Sequence, residues 1–206
     1  MSKTTTDLGA EPTLRGRLTR AAAASGGLPP FVFPGAAALI LPVSLPVKTA
    51  RQRRAALPFA VEPYLAEPVE QAALALGPQL ASGDWLCVAA NRDRLRDMTA
   101  GTHAPGPVLP DTLAVPLPNR ADAWAVWCGP QSTHLRMADG TGMATTPDHF
   151  PDLWRVFGAP PIELKYGAPP PGTATTHEPE ALPALDPALL QIDLRGDDGR
   201  GQAHWV

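Results

Sequence analysis

Two glutamates, Glu62 and Glu67, are the residues of this sequence that come nearest to a catalytic carboxylate pair. A general acid and a general base of this kind would have to face each other across a substrate. Arg53 and Arg54 lie shortly before them, however, and acids that balance such charges are typical of exposed helices and turns. We therefore interpret both glutamates as surface acids and predict no catalytic residue.

The other groups that could perform chemistry stand alone in the sequence. The motifs G-x-x-x-x-G-K-[ST], G-x-G-x-x-G and G-x-S-x-G are absent, so the serines, Ser132 among them, have no support as nucleophiles. No two histidines are spaced at i+3 or i+4, and Cys87 and Cys128 are isolated, which argues against a zinc site. Residues 139–142 (DGTG) resemble a phosphate loop, but Asp-Gly is a common hairpin connector and we interpret it so. No cofactor and no metal is predicted.

The composition excludes several classes of protein. A chain of 206 residues can hold one medium domain or two small ones. A formal net charge of −3 excludes a large basic face, so nucleic acid is not a predicted partner. Cys87 and Cys128 lie in apolar, strand-like runs, which suits a reducing compartment. Because the sequence shows no secretory signal and no apolar run of about 20 residues, we expect a soluble, cytoplasmic chain.

The chain is organised around the stretch from 47 to 77, which contains Glu62, Glu67 and the arginines that precede them. Its apolar residues recur at i, i+4, i+7 and i+8 as Leu57, Val61, Tyr64 and Leu65. That spacing predicts a helix with one buried apolar face. Pro58 falls inside the pattern, where it removes a backbone donor and clashes with the preceding turn. We therefore predict two helical pieces, 48–57 and 59–64, separated by a kink or a break.

A basic cluster lies at the start of this predicted helix. One interpretation is the solvated face of an amphipathic helix. The other is a binding surface that pairs with acidic groups on a protein partner or with anionic lipid. On the second interpretation, the predicted partner-binding residues are Arg51, Arg53, Arg54, Glu62 and Glu67.

Elsewhere the sequence alternates short strands with helices, as in an α/β protein. The first half is predicted to contain an edge strand at 13–22, strands at 31–33, 38–43 and 85–90, a helix at 92–99 capped by Asn91, and an extended connector at 108–118. The second half is predicted to contain strands at 124–128, 133–137 and 142–146, a helix at 148–157 and a strand at 162–166. Three strands, a helix and a strand form the core order of an RNase H-like unit.

Residues 54–77, RAALPFAVEPYLAEPVEQAALALG, resemble the signature of the type II secretion system protein L (GspL) family. In that family, an R-x-A-L-P-F-x-L-E-x-x-L-A-E helix is followed by a short strand ending in F-A-L-G. The matching positions are Arg54, Ala56, Leu57, Pro58, Phe59, Glu62, Leu65, Ala66, Glu67, Leu76 and Gly77. The departures are Val61 in place of the usual leucine, and Pro63 and Tyr64 in place of a polar pair.

The resemblance implies a fold and a domain organisation. The implied fold is α/β, an actin-like ATPase (RNase H-like) fold with two small lobes and mixed sheets. The implied parts are a disordered N-terminus at 1–12, a first lobe at 13–118, a second lobe at 119–167, and a Pro-rich linker and juxtamembrane segment at 168–206. Residues 188–195 (ALLQIDLR) resemble the element that family members carry before their single transmembrane helix. A membrane helix is therefore expected after Val206 in the full gene product.

The resemblance also implies a function. Actin-like lobes bind nucleotide phosphate at the turn between their first two strands, where a carboxylate holds Mg²⁺. Here that turn, residues 128–132 (CGPQS), carries no acid, and Pro130 lacks a backbone donor, so we expect a degenerate nucleotide site.

The implied role is a non-catalytic scaffold on the cytoplasmic face of the bacterial inner membrane. It would dock the N-terminal domain of the secretion ATPase (the E protein) and couple it to pseudopilus assembly and protein export. The inner-membrane platform proteins M, F and C are further implied partners, and a homodimer is a further option. The alternative is an actin-like nucleotide-binding enzyme or switch, including a type IV pilus M-like assembly protein.

Overall fold

The computed structural model of the chain describes residues 13–102, 105–167 and 183–196. The predictions made for 1–12 and for most of 168–206 lie outside these residues. The helices are α1 (Leu14–Ala24), α2 (Ala50–Val61), α3 (Arg92–Thr99) and α4 (Phe150–Val156). The strands are β1 (Phe31–Phe33), β2 (Ala38–Val43), β3 (Ala72–Gln79), β4 (Trp85–Asn91), β5 (Val108–Pro110), β6 (Trp124–Cys128), β7 (Thr133–Met137), β8 (Gly142–Thr145) and β9 (Ile162–Gly167).

One large mixed sheet runs through both halves of the chain. Within the described residues its strand order is β3-β4-β2-β8-β7-β6-β9, and a smaller sheet pairs β1 with β5 in parallel. In the large sheet β6 and β9 are parallel, and the other neighbours are antiparallel. Within the sheet, the two halves pair at one position, between Ile40 of β2 and Gly142 of β8. The strands β8-β7-β6-β9 with α4 have the RNase H-like order that the sequence predicted.

The two faces of the sheet carry separate cores because side chains alternate along each strand. On one face, Ile40, Leu86 and Val88 pack into a cluster that also receives residues from α1, β5 and the segment after 187. On the other face, Leu41 and Cys87 pack under α2. A third cluster lies under α4 in the second half of the sheet. Residues 187–196, which belong to the proposed juxtamembrane segment, bury Ile192 and Leu194 in the first cluster.

The prediction of an edge strand at 13–22 was wrong, because this segment forms helix α1. Leucine and arginine alternate there, which suggested a period of two, but Leu14, Leu18 and Ala22 also recur at i, i+4 and i+8, and all three are buried. Thr13 caps the helix by accepting a hydrogen bond from the Gly16 amide at 3.0 Å. The three buried apolar residues on one face therefore favour the helical period.

The predicted break at Pro58 was also wrong, since α2 is continuous from Ala50 to Val61. Proline fixes φ near its helical value, so its cost is a lost backbone donor and crowding of the preceding turn. Burial of Leu57 and Val61 on either side of it offsets that cost. The chain then tightens into a 3-10 turn at Glu62–Tyr64. Tyr64 is 62% exposed, so its predicted place on the buried face was wrong too.

The predicted connector at 108–118 is only partly extended. Its first part is strand β5, and the next part is a 3-10 turn at Asp111–Ala114 whose Thr112, Leu113 and Ala114 are all buried. Three prolines suggested an extended run, but the leucine and alanine side chains of the segment are buried in the first core, and this burial favours the turn. The predictions for β1, β2, β6, β7 and α3 match the observed bounds residue for residue.

Cys87 supplies a first testable prediction. It is completely buried between α2 and the sheet, and burial raises the pKa of its thiol to about 12. Since the thiolate is the reactive form, we expect no alkylation of Cys87 by iodoacetamide at pH 8 in the native protein, and complete alkylation in urea. Peptide mass mapping of both samples measures this. Rapid labelling of native Cys87 would show that α2 does not stay packed on the sheet.

Candidate functional site

Helix α2, which carries most of the predicted partner-binding residues, is capped at its start and packed on the sheet. At its start, Thr49 and Gln52 form a capping box: the Gln52 amide donates to Thr49 Oγ1 at 3.2 Å, and the Thr49 amide donates to Gln52 Oε1 at 3.2 Å. Leu57 and Val61 hold the helix against the sheet. The helix therefore presents its outer face in a fixed orientation.

The outer face of α2 exposes aromatic surface among arginines. Phe59 is 77% exposed, and Tyr64, just after the helix, is 62% exposed. Arg51 and Phe59 lie on the solvent side of α2 at i and i+8, and Glu62 follows at the end of the helix. We call Arg51, Arg54, Phe59, Glu62 and Tyr64 the α2 surface. Two exposed aromatic side chains with arginines beside them have the composition that is enriched at protein interfaces.

The structure separates the five predicted partner-binding residues into two groups. Arg51, Arg54 and Glu62 are exposed on the α2 surface. Arg53 is turned to the side, where its guanidinium lies 4.1 Å from the ring centroid of Trp85 and donates to the Lys48 carbonyl at 2.9 Å. These contacts give Arg53 a role in holding α2 on the sheet.

Glu67 also has an internal contact. Its Oε2 accepts a 2.6 Å hydrogen bond from the side chain of Asn91, and Asn91 Oδ1 in turn caps α3 by accepting from the Arg94 amide at 2.9 Å. Glu62 and Glu67 do not share a cleft, so the structure offers no support for a carboxylate pair. Tyr64 was missed as a surface residue because the apolar spacing placed it on the buried face, and Phe59 was noted only as a match to the family signature.

The turn between β6 and β7, the position at which actin-like lobes bind phosphate, makes hydrogen bonds to itself and to its neighbour His134. The Gly129 amide donates to the Ser132 carbonyl at 2.9 Å, so this backbone donor is used inside the turn. Ser132 Oγ lies 2.8 Å from His134 Nε2, and His134 is buried. The described residues contain no group of three or more acids, histidines or cysteines that could hold a metal ion.

A polar network continues from His134 to the turn between β1 and β2. His134 Nδ1 lies 2.9 Å from Thr112 Oγ1 and 3.3 Å from Asp111 Oδ1. Asp111 Oδ1 also accepts a 2.7 Å hydrogen bond from the Gly35 amide. A Cβ atom added to Gly35 would overlap Thr112 Oγ1, so these side chains completely fill the space beside the turn. We call Gly35, Asp111, Thr112, Ser132 and His134 the turn network.

The turn network was not visible in the sequence. Its members come from three separate segments, and only folding brings Asp111 within reach of His134, 23 positions away. A carboxylate is therefore present beside the β6–β7 turn although the turn itself has none. This carboxylate is engaged by the Gly35 amide and His134, however, and the Gly129 amide is bonded within its own turn.

The state of His134 supplies a second prediction. Desolvation lowers the pKa of His134 below its ordinary value of 6.5, and the nearby Asp111 only partly opposes this. Below that ordinary pKa the unfolded chain takes up a proton that the native protein resists. Stability is therefore lost as the pH falls through about 6.5 and below. We expect His134→Gln, which cannot titrate, to flatten this dependence in urea unfolding at three pH values. An equally steep decline in both proteins would contradict it.

Known proteins resemble this chain in structure and in sequence. The cytoplasmic domain of EpsL, an inner-membrane component of the type II secretion system of Vibrio cholerae, superposes with a TM-score of 0.56 at 19% identity, over 94% of this chain and 83% of that one. The chain is also 54% identical over 50 residues to the type II secretion system protein L of Pseudomonas aeruginosa. That match covers 24% of this chain and 13% of the length of the relative.

The fold that the first comparison defines is a mixed α/β fold of the actin-like ATPase type, as predicted. A family model described as type II secretion system (T2SS), protein L, matches residues 22–193. The chain belongs to this protein L family, which confirms the resemblance read from residues 54–77. Among the described residues, no helix is long and apolar enough to cross a bilayer.

Proposed function

We propose that the chain is a non-catalytic scaffold of the inner-membrane platform of type II secretion, lying at the cytoplasmic face of the membrane. It docks the N-terminal domain of the secretion ATPase through the α2 surface and couples that enzyme to pseudopilus assembly and export. The observation that carries this proposal is Phe59, an aromatic side chain that is 77% exposed on a helix within the family signature. Such side chains are the usual anchors of protein interfaces.

The chemistry of the α2 surface restricts the partner. Phe59 and Tyr64 require an apolar groove, and Arg51 and Arg54 at the rim favour acidic residues around it. Because α2 is capped and packed before binding, the partner does not have to order it, and less of the interaction energy is lost. We expect Glu62 to lie at the edge of the contact. The platform proteins M, F and C would meet the full-length protein elsewhere.

A titration with the partner tests this proposal. Calorimetry of the chain with the isolated N-terminal domain of the cognate ATPase should give a one-to-one complex at micromolar concentrations. The same titration at higher salt should show weaker binding, since the rim of the contact is charged. Absence of heat at all ratios, supported by absence of co-elution on gel filtration, would contradict the proposal.

The turn network argues against the alternative function, an actin-like nucleotide-binding enzyme or switch. A nucleotide phosphate at the β6–β7 turn would have to break the Ser132–His134 contact and compete with the turn's internal hydrogen bond. We therefore expect no change in melting temperature with millimolar Mg²⁺-ATP. A Mg²⁺-dependent rise that disappears in Ser132→Ala would favour the alternative.

A further inference from the structure

Within the part of the chain that the structure describes, two arginines are buried on the same face of the sheet without a carboxylate in ion-pair contact. Arg136 of β7 is 1% exposed, and Arg17 of α1 is 7% exposed. The Nε and Nη1 atoms of Arg136 and the Nε atom of Arg17 are buried and donate no hydrogen bond among the described residues. Buried guanidinium groups are almost always paired, because the loss of hydration costs several kcal/mol per ion. These two groups therefore need an explanation.

Both arginines line one cavity of about 580 Å³ between the sheet, α1 and the segment 183–189. Arg136 reaches it by crossing over the neighbouring strand, where Gly142 leaves room: a Cβ atom there would lie 2.9 Å from Arg136 Cδ. Arg17 is held at the opposite side by a 2.9 Å hydrogen bond from Nη2 to the Pro183 carbonyl. Leu80, Leu113 and Leu189 supply apolar walls. The cavity has the size of an ordinary small-molecule site.

The acidic side chains near the two arginines accept hydrogen bonds from backbone amides of their own turns. Asp139 interacts electrostatically with Arg136, but its Oδ1 accepts from the Thr141 amide at 2.8 Å in the β7–β8 turn. Asp186, which lines the cavity, caps the 3-10 turn at Pro187–Gln191 by accepting from the Ala188 amide at 2.9 Å. Among the described residues, neither arginine has a carboxylate within ion-pair distance.

The hydroxyl of Tyr166 is a third group without a partner on this side. It is buried and makes no hydrogen bond among the described residues, and it interacts electrostatically with Arg17. Its ring stacks on Trp127 with the centroids 5.3 Å apart, which fixes its position. Tyr166 does not line the cavity itself. Guanidinium donors without acceptors, lining a cavity with apolar walls, are complementary to an oxyanion on an apolar body.

We propose that this cavity binds a small anion with one carboxylate or phosphate group, held by Arg136 and Arg17, and an apolar body that lies against the leucines. The bound anion supplies the acceptors that the guanidinium groups lack. The site is separate from the α2 surface, which lies on the opposite face of the sheet. Binding here is therefore independent of the proposed docking of the ATPase.

Thermal unfolding of the whole chain with octanoate, octyl phosphate, inorganic phosphate and uncharged octanol tests this site. We expect one or both amphiphilic anions to raise the melting temperature by about 4 °C at ten times their Kd. The comparison of octanoate with octyl phosphate distinguishes the two head groups. Octanol is expected to have no effect. Equal stabilisation by octanol would show an apolar cavity without anion binding and overturn the proposal. Absence of stabilisation by either amphiphile at ~10 mM, a concentration at which even weak binding is detected, would also overturn it.

The variant Arg136→Met separates a binding role from a structural one. Methionine keeps the length of the side chain and removes the charge, so without ligand this variant is expected to melt at the same temperature or higher. It should lose the response to octanoate and octyl phosphate. Arg94→Met, at an exposed position on α3, is the control and should keep the response. If Arg136→Met is too unstable to purify, Arg136 is structural and the proposal fails. An unchanged anion response in a folded Arg136→Met protein would also refute it.

Discussion

Phe59→Ser combined with Arg51→Glu is expected to weaken binding of the ATPase's N-terminal domain by about 100-fold or more, without unfolding the scaffold. An exposed aromatic anchor and an arginine each contribute about 2 kcal/mol or more at interface hot spots. The change of charge at Arg51 adds repulsion from an acidic partner. Phe59 is 77% exposed and Arg51 is exposed, so neither supports the core. Calorimetry gives the affinity, and thermal unfolding verifies the fold.

The matched control for this variant changes the same kinds of residue elsewhere. Val156 of α4 is 82% exposed, and Arg94 of α3 is exposed, so Val156→Ser with Arg94→Glu removes similar apolar surface and makes the same change in charge. We expect this control to bind as the wild type does. Equal loss of affinity in both double variants, or in neither, would mean that the α2 surface is not the docking site.

Gly35→Ala is expected to destabilise the protein by about 3 kcal/mol, since overpacking in a rigid site forces side chains and backbone apart. The added Cβ would overlap Thr112 Oγ1 and lie 2.7 Å from Asp111 Oδ1, and both atoms are held by the turn network. In a domain of this size, the melting temperature would fall by about 9 °C.

Gly27→Ala is the control for that variant. A Cβ there would make an ordinary contact, 3.4 Å from the Ala22 carbonyl oxygen, so a change within about 0.5 kcal/mol is expected. If Gly35→Ala melts like the wild type, the turn network is looser than its distances indicate. The space beside the β1–β2 turn would then be open to a ligand.

The second half of the fold could be predicted from the sequence because local signals agree there. Strand β6 is a short apolar run, and strands β6 and β7 end at Gly129–Pro130 and Asp139–Gly140, which are strong turn signals. Helix α3 was predicted to the residue because Asn91 caps its start and Gly101, at φ +72°, follows its end. Such signals act over a few residues and do not depend on tertiary contacts.

Where the predictions failed, tertiary packing decided the outcome. Segment 13–22 fits both a strand and a helix by pattern, and contact of Leu18 with the core selects the helix. Pro58 opposes a continuous helix locally, and the burial of Leu57 and Val61 overrides it. Tyr64 fits the apolar spacing, but the 3-10 turn rotates it away from the core. None of these outcomes can be derived from neighbouring residues alone.

The candidate site, like the fold, could be predicted only where its signals are local in sequence. The basic cluster and the family signature identified the α2 region, because both are local in sequence. The contact of Arg53 with Trp85 and that of Glu67 with Asn91 join residues more than 20 positions apart, as do those between Asp111 and His134. A buried, unpaired Arg136 inside a strand is equally invisible, since a charged residue in an apolar run is normally interpreted as solvent-facing.

The most direct measurement of the central claim is hydrogen exchange of the chain with and without the ATPase's N-terminal domain. We predict that exchange slows in residues 50–64, which carry the α2 surface, and stays unchanged in α4, which packs on the second half of the sheet. The double variant Phe59→Ser, Arg51→Glu should abolish that difference. Protection confined to α4 or to the β6–β7 turn, with 50–64 unchanged in a saturated complex, would contradict the claim.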